Sequence, residues 1–437
     1  MTPSARHQAV LELLDLIETT PRPADSLMSA YFRGHRYIGS KDRAWVAEHA
    51  YDLIRHHARL NWWLERLGAP STSRKRFLAY LRLVEKMSPG EIEGLWDGKK
   101  FAPAWLTHEE KKLVEDCKGH TLKHPDMPLT VAVECPPWAE VPLKARFGKN
   151  FTAEMAAMLS PAPLDLRINS IKTDRDTALN ALLEGGFDVS PCKLSPLGLR
   201  LMNRPSLSNI KLLRDGAIEI QDEGSQLVAM LVDAKPGERV VDFCAGAGGK
   251  TLAIGAQMNN KGRIVACDVL ANRLKRSAER FRRAGLHNIE THALSSESDP
   301  WVKRHKESFD RVLVDAPCSG TGTWRRNPDQ RWRSLGPGLE TLVPLQAHIL
   351  NSAARLVKAG GRLVYATCSM LSEENENQIE AFLAAHDDFE LLPPQKALPS
   401  FAFPNKDEPY LRLTPAQNDT DGFFAAILTR KAKAKEE

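Results

Sequence analysis

The 437-residue chain has no apolar run near the roughly 18 residues needed to span a membrane. Its first apolar stretch, from Val10 to Ile17, is interrupted by Glu12 and Asp15, which argues against a signal-peptide core. It has no CxxC pair, and its seven cysteines (Cys117, Cys135, Cys192, Cys244, Cys267, Cys318, Cys368) are odd in number and widely scattered. That spacing excludes a disulfide scaffold and a zinc ribbon, leaves no metal site to assign, and suits a reducing cytoplasm. No charge of one sign dominates: 60 Lys and Arg against 55 Asp and Glu give +5, compatible with nucleic acid but not diagnostic of it. Internal repeats are also lacking. With 42% hydrophobic and 26% charged residues, what remains is ordinary globular composition. At roughly 150 residues per domain the length suggests about three domains.

The first hundred or so residues follow helical periodicity. Val10, Leu13, Leu14 and Ile17 recur on one face, as do Val46, Ala50, Leu53 and Ile54. Ser40 is a candidate N-cap of the second run, with Gly68 and Pro70 as a stop. Interleaved basic residues (Arg33, Arg36, Lys41, Arg43, Arg55, Arg59, Arg74, Lys75, Arg76) fit solvated helix faces as readily as a nucleic-acid surface. From about Pro128 prolines cluster, and strand candidates at 164–168, 187–189 and 198–202 with a helix at 174–185 suggest a small α/β module. Near Pro236 strand-then-helix units begin, with buried strands predicted at 239–242, 263–268, 311–315 and 362–367. These imply a doubly wound parallel sheet, closed by a late strand at 423–428 before a charged tail at 431–437.

The stretch Val240-Val241-Asp242-Phe243-Cys244-Ala245-Gly246-Ala247-Gly248-Gly249-Lys250-Thr251 reads as a strand, a glycine turn and a helix start. A P-loop would need glycine where Cys244 stands, and a dinucleotide fingerprint starting at Gly246 would need glycine or alanine where Thr251 stands. A third reading is a nucleoside-type cofactor held by close backbone approach. Asp268, 22 residues after Gly246 at the end of the next strand, suits an acid that accepts hydrogen bonds from ribose hydroxyls. That combination is shared by dehydrogenases and S-adenosylmethionine methyltransferases.

Two further strand ends narrow the choice. Asp315-Ala316-Pro317-Cys318 and Thr367-Cys368-Ser369 each put a cysteine just past a predicted strand, where an open parallel sheet has its ligand crevice. Carbon 5 of cytosine is not nucleophilic enough to take a methyl group directly. A thiolate adding to carbon 6 makes the ring an enamine-like nucleophile. An acid near ring nitrogen 3, a task suited to Asp315, stabilises the adduct by sharing a proton. The adduct must then lose the carbon-5 proton and eject the sulfur, which a second cysteine could assist. Methylation of an exocyclic nitrogen needs no cysteine, and a nicotinamide dehydrogenase is disfavoured by the failed fingerprint.

At these residues the chain resembles the Nop/Sun family of RNA cytosine-5 methyltransferases, from about Leu164 onward. The signatures are Asp315-Ala316-Pro317-Cys318-Ser319-Gly320-Thr321-Gly322 with Arg325-Arg326-Asn327-Pro328-Asp329, and Thr367-Cys368-Ser369 with Glu373-Glu374-Asn375-Glu376. Leu166-Arg167-Ile168-Asn169-Ser170 and Gln221-Asp222-Glu223-Gly224-Ser225 resemble the segments flanking the family's small RNA-binding module. The resemblance implies that Cys368 is the nucleophile and Cys318 the cysteine that assists release, with Asp315 and Lys250 also catalytic. It implies S-adenosyl-L-methionine as cofactor, held by Cys244, Ala245, Gly246, Ala247, Gly248, Gly249, Lys250, Asp268, Arg273 and Asp315. Where the family commonly has an acid that contacts adenine, this chain has Thr291-His292-Ala293, so that contact is left unassigned. The N-terminal helices, through Ser40-Lys41-Asp42-Arg43-Ala44 and Leu53-Ile54-Arg55, resemble the NusB-like domain fused to bacterial rRNA methyltransferases of the Sun/Fmu type.

The expected organisation is therefore a NusB-like helical domain at 1–127, an RRM-like α/β module at 128–215 and a Rossmann-like class I methyltransferase domain at 216–430. Expected RNA contacts are Arg167 and Asn169 from the module. Trp324, Arg325, Arg326 and Arg331 join them from the Trp324-Arg325-Arg326 and Arg331-Trp332-Arg333 clusters, where Arg meets phosphate and an aromatic ring stacks on an unpaired base. The basic stretch Arg273 to Arg283 is open to either a solvated or an RNA-facing reading. The target cytosine must be unstacked into the cleft. The function expected is cytosine-5 methylation of small-subunit rRNA by a cytoplasmic monomer. A tRNA cytosine-5 methyltransferase and a non-catalytic ribosome-assembly factor are the alternatives.

Overall fold

The computed structural model describes residues 1–332, 336–404 and 406–432; Arg333 and residues 433–437 of the expected tail lie outside them. The chain divides into two compact units. One comprises Met1–Ser160 together with Trp324–Gly336, and the other Pro161–Thr323 with Pro337–Glu437.

The first unit is helical. Helices Pro3–Thr19, Ala24–Gly34, Ser40–Arg55, His57–Arg66 and Ser73–Leu83 bury Val10, Leu13, Val46, Leu60, Trp63 and Phe77 in one core, as their spacing predicts. Gly39 rather than Ser40 occupies the N-cap of the third helix. The prolines past 128 sit among further helices. Pro136 caps helix Pro137–Phe147 and Pro137 opens it, where a missing N–H costs nothing.

Within this core His7 accepts a hydrogen bond at Nδ1 from Trp96 Nε1 (3.0 Å) and stacks on Trp45 (5.6 Å). Burial pushes its pKa down to about 4, so the folded unit excludes the protonated ring. For a histidine with a depressed folded pKa, stability is whole above the unfolded value of 6.5 and is lost as pH falls towards 4. The loss is on the order of 3 kcal/mol. Tryptophan fluorescence, which reports mainly this unit, should show the midpoint in urea falling between pH 7 and pH 4.5. His7→Gln should flatten that dependence; an unchanged slope would mean that His7 titrates freely.

The second unit contains two sheets. Strands β1 (Leu164–Ile168), β2 (Val189–Pro191), β3 (Gly198–Leu201) and β4 (Ile218–Ile220) form an antiparallel sheet in the order β2-β3-β1-β4. Its core is Leu166, Ile168, Leu182, Leu199 and Ile218.

The larger sheet is built from β5 (Arg239–Asp242), β6 (Arg263–Asp268), β7 (Ile289–Ala293), β8 (Phe309–Asp315), β9 (Val357–Thr367), β10 (Phe389–Leu391), β11 (Leu411–Leu413) and β12 (Phe423–Arg430). The order is β10-β12-β9-β8-β5-β6-β7, with β11 pairing on β12. Strands β5 to β9 run parallel, whereas β10, β11 and β12 pair antiparallel. Val240, Val241, Val312, Leu313 and Val314 are fully or almost fully buried, because helices cover both faces of a parallel sheet. From β5 the chain builds β6 and β7 on one side, then β8 and β9 on the other. The turn-around at β5 opens a crevice beyond the carboxyl ends of the strands.

Candidate active site

The glycine turn leaves β5 and enters helix Gly249–Gln257. Gly246 and Gly248 hold φ of +54° and +79°, the left-handed region that favours glycine. At Gly248 a Cβ would lie 2.7–2.9 Å from the Phe281 ring and Ser277, so this glycine also lets the basic helix Ala271–Ala284 pack close. At Gly246 the nearest atoms to a Cβ are those of the Arg273 guanidinium, 3.8 Å away, and at Gly249 only Gln221 at 3.7 Å. Backbone there is free for a ligand to approach. Gly248→Ala combines backbone strain with a clash. It is expected to weaken S-adenosylmethionine binding by about tenfold or more in isothermal titration; an unchanged affinity would remove the loop from the cofactor site.

Asp268 ends β6. Its two carboxylate oxygens accept the Gly246 N–H (2.8 Å) and the Leu270 N–H (2.7 Å), and each keeps a lone pair for a hydroxyl. The next residues, Val269 and Leu270, are exposed apolar side chains beside this acid. The donors and acceptors therefore fit a nucleoside cofactor. His292 does not join them. It pairs with Cys267 across β6 and β7 and stacks on Trp301 (5.1 Å), whereas Asp268 pairs with Ala293 and points to the opposite face.

Lys250, in the first turn of the helix, is buried and donates to Asp315 Oδ2 at the end of β8 (2.6 Å). Burial opposes its charge, but the Asp315 carboxylate outweighs that and holds the lysine above its usual range. Its ammonium also lies 5.3 Å from the centre of the Phe423 ring. Under this pair, buried Asp242 accepts the Thr251 hydroxyl (2.7 Å), and desolvation raises its pKa to about 7.

Cys318 and Cys368 follow the neighbouring strands β8 and β9, and their sulfurs stand 3.4 Å apart. Its hydrogen bond to Cys368, burial and the Glu374 charge push the Cys318 thiol well above the ordinary range. Burial does the same to Cys244 in the glycine loop. The Cys318 loop is tied to the Cys368 loop by the Gly322 N–H donating to Cys368 O (2.9 Å). Gly322 also touches Gly422, where a Cβ would meet the carbonyl at 2.2 Å.

The residues expected to meet RNA have other partners. Arg167 is 3% exposed; its guanidinium bonds to the Gln221 side chain and donates to Gly249 O (2.7 Å), so it ties β1 to the glycine loop. Asn169 is 2% exposed and donates to Gly216 O and Ala284 O (both 2.8 Å), closing the end of the basic helix. Arg280 and Arg283 of that helix pair with buried Glu219. In the helical unit Trp324 is fully buried and packs edge-on to Trp138 (5.9 Å) and under Arg331 (4.7 Å). Arg331 donates to Met158 O (3.3 Å). Arg325 is buried with its carbonyl accepting from Arg55 (3.2 Å), and Arg326 is half-buried. Arg167, Asn169, Trp324, Arg325 and Arg331 are interior residues, a correction to their reading as surface contacts.

Asp165, Cys192 and Glu223 bring three possible metal-ligand atoms within 4.8 Å of one another. Their carboxylates are already committed, Asp165 to Arg200 (2.7 Å) and Glu223 to the Ser195 N–H (2.8 Å). No helix among the described residues is long and apolar enough to cross a membrane.

A sheet of this order, with a glycine turn after its first strand and a carboxylate after its second, defines a Rossmann-like class I methyltransferase that uses S-adenosyl-L-methionine. The family model described as "16S rRNA methyltransferase RsmB/F" matches residues 229–429, and one for the "ferredoxin-like domain" of the same proteins matches 135–208. The "Probable ribosomal RNA small subunit methyltransferase B" of Synechocystis sp. is 31% identical over 98% of this chain and 99% of its own length. The "Ribosomal RNA small subunit methyltransferase B" of Pasteurella multocida is 35% identical over 75% of this chain and 69% of its own. The crystal structure of PH0851 superposes with a TM-score of 0.82, at 28% identity over 98% of this chain and 99% of that one. The chain belongs to the RsmB/F family of rRNA methyltransferases.

Proposed function

We propose that the protein methylates carbon 5 of a cytosine in small-subunit rRNA through a covalent bond between Cys368 and carbon 6 of the base. The observation that carries this reading is the pair of cysteine sulfurs 3.4 Å apart at the ends of β8 and β9, beside the Lys250–Asp315 pair. Exocyclic nitrogen methylation would leave both thiols without work. The names of the relatives support rRNA as substrate.

The cofactor is held by the loop from Cys244 to Lys250 with Asp268, Arg273 and Asp315. When bound, S-adenosylmethionine supplies an electrophilic methyl group. Cys368 attacks as thiolate, forming the S–C6 bond and moving the ring electrons to carbon 5, while the Asp315 carboxyl shares with ring nitrogen 3 a proton drawn from the Lys250 ammonium bonded to it. Lys250 supports that carboxyl and reaches towards the base. After carbon 5 is methylated, water takes the carbon-5 proton. Those electrons restore the C5–C6 double bond and expel the Cys368 thiolate. Cys318, at 3.4 Å, donates its S–H to the departing sulfur and so assists release.

The test is product analysis. The enzyme is incubated with labelled S-adenosylmethionine and deproteinised 16S rRNA or tRNA, and the digested nucleosides are separated. The label should appear as 5-methylcytidine from 16S rRNA. Label in another nucleoside would overturn the chemistry, and label from tRNA alone would overturn the substrate.

A further inference from the structure

One carboxylate joins the two cysteine loops. Glu374, on the short 3-10 turn Ser372–Glu374 before helix Glu376–Ala385, is completely buried. Its Oε1 accepts the Ser319 N–H (2.8 Å) and the Gln346 side-chain amide (2.9 Å). Its Oε2 accepts the hydroxyls of Ser319 and Ser369. Ser319 follows Cys318 and Ser369 follows Cys368, so both oxygens hold residues adjacent to the sulfurs. The same Gln346 amide donates to Pro317 O (2.9 Å), the residue before Cys318. The Tyr365 hydroxyl fixes the Glu374 backbone through its carbonyl (2.7 Å).

All four groups facing this carboxylate donate, which is the arrangement a carboxylate and no neutral side chain satisfies completely. Burying a charge is costly unless every lone pair is used, and here the donors come from three separate segments. Packing alone would be served better by an apolar side chain.

We propose that Glu374 is a positioning residue for methyl transfer, a clamp that holds the Cys318 loop against the Cys368 loop and fixes the separation of their sulfurs. The proposal rests on the reading of these cysteines given above. A second consequence concerns Cys318, which faces Cys368, Glu374 and Tyr365 and is held as the thiol.

The test uses the full chain with Glu374→Gln, which keeps the size and some of the hydrogen bonds, and Glu374→Ala, which keeps neither. Two quantities are read: kcat and KM for methyl transfer, and the pH midpoint for alkylation of Cys318 followed by peptide mass spectrometry. Displacing reacting groups by about 1 Å costs on the order of 100-fold in rate. Glu374→Ala should lower kcat about 100-fold and Glu374→Gln about tenfold, with KM for S-adenosylmethionine within about threefold. In Glu374→Gln the Cys318 midpoint should move to lower pH, because the anion that raises it is gone. A purely structural role would lower thermal stability without that shift. Should Glu374→Ala fail to fold, Glu374→Gln and Ser319→Ala carry the test. A kcat within about threefold of wild type, or an unmoved Cys318 midpoint, would overturn the proposal. If the wild type forms no 5-methylcytidine, the chemistry fails, and the alkylation midpoint still decides whether Glu374 acts on Cys318.

Discussion

Cys368→Ala is expected to abolish methyl transfer, with a loss of at least about 10⁴-fold, while the protein stays folded and binds S-adenosylmethionine as before. The size follows from the chemistry: without a bond at carbon 6, carbon 5 has no electron density to offer, and removing a nucleophile costs far more than removing a group that assists it. The fold should survive because Cys368 is only half-buried, and the Gly322 N–H bond to its backbone does not depend on the side chain. The variant also has a signature independent of turnover. The hydrogen bond Cys318 makes to Cys368 is the largest cause of its raised pKa, so in this variant Cys318 should alkylate at lower pH. Single-turnover transfer and peptide mapping read both effects. Residual activity within about a hundredfold of wild type would mean that another group attacks the base.

Asp315→Asn should have the second-largest effect. It removes the carboxyl through which a proton is shared with ring nitrogen 3, an acid–base contribution of about 10²–10⁴. It also strands the buried Lys250 ammonium, whose partner carboxylate lies at 2.6 Å. Breaking a buried pair by deleting one partner costs on the order of 3–5 kcal/mol, and Asp315 is partly open to solvent, so the lower end applies. We expect kcat/KM to fall at least about 100-fold and the melting temperature to drop by several degrees. Lys250→Met/Asp315→Asn, which removes both charges, should regain much of the stability and none of the activity. A single variant within about threefold of wild type would show that neither the charge nor the proton matters.

The catalytic sheet was legible because burial on both faces writes itself into sequence. The runs around Val240, Val265, Val312 and Val364 are continuous and apolar, and each ends in a glycine, acid or cysteine that the crevice needs. Strand β7 carries Glu290, Thr291 and His292 on an edge, and β10 and β11 are three residues long, so none of these has a comparable run. The Trp324–Arg331 stretch misled for a different reason. Mixed cationic and aromatic residues suit an RNA surface, but the same side chains fill a core when backbone carbonyls such as those of Met158 and Ile54 accept their N–H groups. Composition does not reveal which partner is present. Arg167 and Asn169 were misread in the same way, since carbonyls at Gly249, Gly216 and Ala284 are far away in sequence. Glu374 stood in a recognised motif, yet its role depends on Ser319 and Gln346, 55 and 28 residues away.

The central claim is the covalent bond between Cys368 and the base, and trapping measures it most directly. Cys318→Ala is incubated with S-adenosylmethionine and bacterial rRNA, denatured, and examined for a protein–RNA adduct whose RNA is then sequenced. The account predicts an adduct in Cys318→Ala that is absent from Cys318→Ala/Cys368→Ala and maps to small-subunit rRNA. An active wild type with no adduct in Cys318→Ala, or an adduct that survives loss of Cys368, would contradict it.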